Sequence, residues 1–263
     1  MLVLMENVLI IAVSIGLMLL ALEAGRLYAR RRSAEDADAN DQAVAVVQGA
    51  LFGLMGLFLA FTYSGAADRW ERRRELVVQE ANAIGTAYLR IDLLPVDAQP
   101  ALRDLFRLYT DSRIAMYKAL PDVRAARDQL ALSAVLQQDI WSKSVAAAQA
   151  SPGPAAALLM MPALNEMIDI TTTRWVAALT HAPALVFGFL AVLALVSAML
   201  AGYGMGRRRR NLLHEFAFAV TVALAVYVIV DFEFLRRGLI TLEYYDRVIV
   251  EVRASMGPLT PSP

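Results

Sequence analysis

Cysteine is absent from the 263 residues, and histidine occurs only as His181 and His214. The first absence excludes disulfides, thiol nucleophiles, thiolate metal sites and a lipoprotein anchor. The second leaves too few imidazoles for a histidine metal cluster. Excess charge is missing as well: 25 Lys and Arg stand against 25 Asp and Glu, so the total implies neither a nucleic acid nor an acidic partner. No glycine-rich phosphate loop and no nucleophile beside a histidine is present, so neither a catalytic residue nor a cofactor or metal is expected. A basic segment before the N-terminal apolar run is lacking, and Leu22-Glu23-Ala24-Gly25-Arg26 is a poor cleavage site. That run is therefore expected to stay as a spanning helix rather than a signal peptide.

What the chain does have is apolar length. Hydrophobic residues make up 58% and the mean hydropathy is +0.50, against ~45–50% apolar in ordinary soluble domains. Residues 43–67 and 182–206 carry no charge at all, and each exceeds the ~20 residues that a bilayer crossing needs. Four spans are expected, over 1–25, 43–67, 182–206 and 212–231, in an all-α, four-transmembrane-helix protein. Residues 26–42 and 207–211 are the short loops, basic at Arg26, Arg30 to Arg32 and Arg207 to Arg210, with an acidic linker over 35–41. Basic clusters beside spans anchor a protein to the cytoplasmic face far more often than they bind nucleic acid. Gly202-Tyr203-Gly204 sits at a helix end and not in a re-entrant loop, which excludes a potassium-type filter.

Between spans two and three, residues 68–181 read as a helical extramembrane domain, punctuated by Pro95, Pro100, Pro121 and Ser151-Pro152-Gly153-Pro154. Buried stripes are expected at Leu76, Val77, Ala81, Ile84, Tyr88 and Ile91, at Leu102, Leu105, Phe106 and Tyr109, and at Leu130, Leu132, Val135 and Trp141. Residues 232–263 form an amphipathic helix, with Leu242, Tyr245, Ile249 and Val252 on one stripe, and a tail that is expected to fray.

Several residues invite chemistry. Gly49, Gly53, Gly56, Ala60 and Ser64 line one face of the second span. Such a face fits close helix packing, or it looks into a pore where Leu57 and Phe61 form an apolar constriction. Glu166 and Asp169 lie at i, i+3 and suit a cation or gating site, a solvated face, or an ion pair with Arg174. Glu215 reads as a partly exposed interfacial glutamate, with an intramembrane ion path as the functional alternative. Asp231 and Glu233 either cap a helix end or hold a cation.

Gly56-Leu57-Phe58-Leu59-Ala60-Phe61 followed by Ala67-Asp68-Arg69-Trp70-Glu71-Arg72-Arg73 resembles the second transmembrane helix of the bestrophin anion channels. Gly85-Thr86-Ala87-Tyr88-Leu89-Arg90, Leu164-Asn165-Glu166-Met167-Ile168-Asp169 and Phe232-Glu233-Phe234-Leu235-Arg236-Arg237-Gly238-Leu239-Ile240 resemble bacterial bestrophin-like proteins over most of the chain, 44–252. The resemblance implies a homo-oligomer, a pentamer in bestrophins, whose second helix lines a hydrophobic neck at every fourth residue. The neck positions here are Gly53, Leu57 and Phe61, with Gly53 departing from the bulky residue expected. Glu71 stands where bestrophins have a second Trp, and beyond Asp231 and Glu233 nothing matches the acidic calcium clasp of the animal proteins.

The resulting expectation is passive ion conduction, anions favoured, with Arg69, Arg72, Arg73 and Arg74 ringing the pore exit. The alternative is a non-conducting anchored interaction or sensory protein. Partners are the lipid bilayer, further copies of the chain and permeating ions, without nucleic acid. The resemblance to bacterial proteins implies the bacterial inner membrane, and the two basic loops are expected to face the cytoplasm, with residues 68–181 periplasmic. The resemblance pulls the other way, as do Arg69, Arg72 to Arg74, Arg236 and Arg237, and puts that domain in the cytosol.

Overall fold

The computed structural model describes residues 2–31, 41–120, 122–206, 211–234, 239–240 and 242–259. Arg32 and most of the acidic linker, Arg207 to Arg210, Leu235 to Gly238, and the end of the tail from Thr260 lie outside the described residues. The described chain is helical, without a strand. The α-helices are α1 (Leu2–Arg31), α2 (Asp41–Leu89), α3 (Gln99–Ala119), α4 (Val123–Gln149), α5 (Ala155–Leu179), α6 (Ala184–Met205), α7 (Leu212–Glu233) and α8 (Glu243–Ser255). Four candidate membrane spans fall in Met5–Arg31, Val44–Leu93, Ala155–Met205 and Leu212–Glu233, so this is a multi-pass membrane protein. Two compact units divide the chain: Met1–Trp70 with His181–Ile240, and Glu71–Thr180 with Thr241–Pro263.

The first unit is the apolar one. α1 and α6 run parallel and approach until their backbones touch. A Cβ on Gly25 would overlap the Met199 carbonyl, and one on Gly202 would overlap that of Leu22. Without water to drive association, spans pack through such small-residue contacts. Met18, Leu22, Met55, Leu193, Ala198 and Val222 fill the space between the helices. α2 meets its neighbours through aromatic side chains, Phe52 against Phe218 of α7 and Phe58 edge-on to Phe189 of α6. The stripe proposed for close packing is not used within the chain: a Cβ on Gly49, Gly53 or Gly56 meets nothing within 4 Å.

The second unit has a conventional core. Ile84, Leu102, Phe106, Tyr109, Ile140, Met160, Leu164 and Met167 are buried together. Asp122 opens α4 by accepting from the Arg124 and Ala125 amides, which supplies acceptors for two of the donors a helix start leaves open. On α4 the expected stripe is out of phase. Leu132 and Val135 are 47% and 60% exposed, while Ala126, Ser133, Leu136, Ile140 and Ser144 face inward. α3 and α4 pack through small residues, with Ser112 and Ser133 hydroxyls 2.8 Å apart.

Candidate functional site

The face singled out on α2 is bare within its own subunit. Leu57 is 55% and Phe61 68% exposed, and Gly53, Ala60, Ser64 and Asp68 are exposed beside them. α2 stays α-helical from Asp41 to Leu89, so its facing positions follow from a rotation of about 100° per residue. Gly53, Leu57, Phe61 and Ser64 fall within a sector of roughly 80°.

The four arginines expected to form one charged ring are instead divided among separate tasks. Arg69 is held by Glu233, which has no exposure: its Nε lies 3.0 and 3.1 Å from the two carboxylate oxygens, and Nη2 2.6 Å from one. The same carboxylate accepts the Ala182 amide at 2.7 Å, and His181 Nδ1 stands 3.6 Å away. Glu233 thereby ties α2 to the end of α7 and the start of α6, with the Arg69 guanidinium where a cation was considered. Arg73 is 4% exposed and turns inward, donating to the Ala177 and Thr180 carbonyls at 2.9 and 2.6 Å. Those are acceptors left open by the end of α5, which a guanidinium both satisfies and neutralises. Arg74 pairs with Glu71 and donates to the Tyr245 hydroxyl at 3.4 Å. Arg72 alone of the four is exposed.

The acidic candidates also separate. Asp231, 4% exposed, accepts the Leu239 and Ile240 amides at 2.9 and 3.0 Å and the Tyr227 hydroxyl at 3.3 Å. It ties Leu239 and Ile240 to the last turn of α7. Glu166 and Asp169 are exposed and line an open cleft of about 580 Å³ with Arg72, Gln79, Asn82 and Thr173. Among the described residues no group of three or more His, Cys, Asp or Glu is placed to hold a metal. Arg174 does not join Glu166 or Asp169. It is buried, with Nη1 2.7 Å from Glu80 and Nη2 2.8 Å from Asp246.

That pairing belongs to a cluster the sequence did not reveal. Glu80 has no exposure and accepts from Arg113 Nε at 2.5 Å as well as from Arg174. Arg113 donates to the Tyr117 hydroxyl at 2.9 Å, and the Arg174 guanidinium lies 3.4 Å over the Tyr117 ring. Burial opposes the charged form of Arg113, yet Glu80 holds its pKa above the ordinary arginine value. Burial, with Glu80 nearby, pushes the Tyr117 hydroxyl well above the usual phenol range. The two guanidiniums and two carboxylates cancel in charge, and the cluster joins α2, α3, α5 and α8.

Glu215 corrects another expectation. It is 5% exposed and pairs at 2.5 Å with Arg26, itself 2% exposed. The end of α1 meets the start of α7 there, so the carboxylate is screened from both solvent and lipid.

The Bestrophin-like domain profile matches residues 13–235. No curated protein sequence matches the chain. A crystal structure of a bacterial bestrophin homologue from Klebsiella pneumoniae, a single-substitution variant, superposes with a TM-score of 0.69 at 14% identity, covering 94% of this chain and 98% of that one. A second structure of a homologue from the same organism gives 0.68 at 13% identity over 97% and 99%. Identity that low establishes a shared fold, and the profile match over most of the length establishes kinship. This chain belongs to the bestrophin-like family.

Proposed function

We propose that the protein is an oligomeric ion channel in which the bare face of α2, copied around a symmetry axis, lines the conducting path. The observation that carries this reading is the uncovered row Gly53, Leu57 and Phe61, continued by Ser64. A face turned to lipid has no use for a glycine and a serine in line with its large residues. A face turned to an axis does, because small residues leave a lumen and the large ones close it by dewetting. With glycine at 53, the constriction has two apolar rings, Leu57 and Phe61, and Phe61 is the larger barrier. Five copies is the number implied by resemblance to bestrophins, which are anion channels. An arginine ring, which would favour anions, has little support here, since Arg69, Arg73 and Arg74 are engaged within one chain. The membrane is a bacterial inner membrane, with the second unit on its periplasmic side.

Planar-bilayer recording on purified protein tests the reading. Phe61→Ala is expected to raise unitary conductance severalfold, roughly 2- to 10-fold, by widening the apolar ring. Folded Phe61→Ala that conducts no better than the parent would remove Phe61 from the constriction. Absence of current from both proteins, each folded and oligomeric, would favour the anchored interaction protein.

A further inference from the structure

The geometry points to Asp68 as the residue that selects the charge of the permeating ion, with cations preferred over anions. This rests on the axial-pore reading of α2. The helix does not break between the constriction and its charged end, so one phase applies throughout. With Leu57 set at zero and about 100° per residue, Phe61 lies ~40° to one side, Ser64 ~20° to the other, and Asp68 ~20° from Leu57. Asp68 stands about 10 Å beyond Phe61 along the axis, seven residues at ~1.5 Å each. It is exposed, as are Leu57, Phe61 and Ser64. The first charge an ion meets on that face beyond the apolar rings is therefore a carboxylate.

The neighbouring cations do not cancel it. Arg69 is ~120° off the face and Arg73 ~160° off, by the same rotation. Each is also committed, Arg69 to Glu233 and Arg73 to the end of α5. Arg74 lies ~100° to the other side and pairs with Glu71. Arg72 follows at ~60°, with Glu75 back on the phase of Leu57; both are exposed and opposite in sign. What remains uncompensated is one Asp68 carboxylate per subunit, all at one height. Beside a dry constriction, such a ring concentrates counter-ions by roughly tenfold or more. Its field reaches the Phe61 level, because the screening length is about 8–10 Å at ordinary ionic strength.

The experiment is reversal-potential measurement in planar bilayers under a KCl gradient, with wild type, Asp68→Asn and Asp68→Arg, each shown by size exclusion to keep its oligomer. Wild type is expected to favour K+ over Cl− by roughly tenfold or more. Asp68→Asn should bring the ratio to within about twofold of unity, and Asp68→Arg should reverse it. Chloride preference in wild type overturns the proposal. A cation preference that Asp68→Asn leaves unchanged also overturns it, while leaving the pore intact. Currents absent from wild type, Phe61→Ala and both Asp68 variants overturn the pore reading itself, and the role of Asp68 falls with it.

Discussion

Glu80 has no exposure and sits in an otherwise apolar phase with Leu76, Val77, Ala81 and Ile84. Taking a carboxylate out of water is costly unless partners satisfy it, and two guanidiniums do so from opposite helices, Arg113 on α3 and Arg174 on α5. Removing the carboxylate leaves two buried positive charges facing each other with Asp246, 21% exposed, as the remaining anion. Glu80→Ala is therefore expected to cost about 3–5 kcal/mol, the range for breaking a buried pair from one side. Asp246→Asn, which leaves Glu80 in place, should cost less. Chemical denaturation in detergent, followed by tryptophan fluorescence, measures both. A loss below about 1 kcal/mol for Glu80→Ala would mean that water reaches the cluster. The sequence did carry a hint, a charged residue at a buried helical phase. It did not carry the partners, because Arg113, Arg174 and Asp246 lie on other helices far along the chain.

At the scale of elements, the helices were legible and their contacts less so. Uncharged runs end where charge begins, prolines at 95 and 152 fall between helices, and Pro100 sits in the first turn of α3, because spans exclude charge and proline lacks a backbone donor that only a helix start can spare. Which face of each helix is covered depends on a neighbour that periodicity does not name. Leu132 and Val135 looked inward by size, yet α4 turns Ala126, Ser133, Leu136 and Ile140 inward, with the Ser133 hydroxyl against Ser112 of α3. The glycines teach the same lesson. Gly49, Gly53 and Gly56 formed the conspicuous row and touch nothing, whereas Gly25 and Gly202, on helices remote in sequence, bring α1 and α6 into backbone contact. Gly202→Val is expected to destabilise the apolar unit by about 1–3 kcal/mol or more, the cost of overpacking where only backbone can yield. Gly53→Val should leave the yield of folded, monodisperse protein unchanged. Size-exclusion profiles after mild heating compare the two, and equal tolerance would contradict the packing described for α1 and α6.

For the whole molecule, the two basic loops and the resemblance to bestrophins put the second unit on opposite sides of the membrane. α1 and α6 are parallel, and Arg26 at the end of α1 meets Glu215 at the start of α7. The ends of α1 and α6 and the start of α7 therefore share one end of the apolar unit. Arg69, Ala182 and Glu233 meet at the other, where the chain leaves and re-enters. Basic residues in short loops set orientation, and long domains cross regardless of charge. By that rule Arg30 and Arg31 with Arg207 to Arg210 would put the loop end in the cytoplasm, which is the orientation proposed above. Of the arginines that argue for the reverse, Arg69 is paired, Arg73 is buried and Arg74 is bound to Glu71, while Arg72 is exposed and Arg236 and Arg237 lie outside the described residues. The chain has no cysteine, so a single introduced thiol reports unambiguously. Lys143, exposed on α4, is a suitable site in the second unit. Lys143→Cys in intact cells is expected to react with a membrane-impermeant maleimide, because the outer membrane's porins admit the reagent and the inner membrane excludes it. Labelling only after the inner membrane is opened would place the second unit in the cytosol, and would show that resemblance to bestrophins outweighs the two basic loops in this chain.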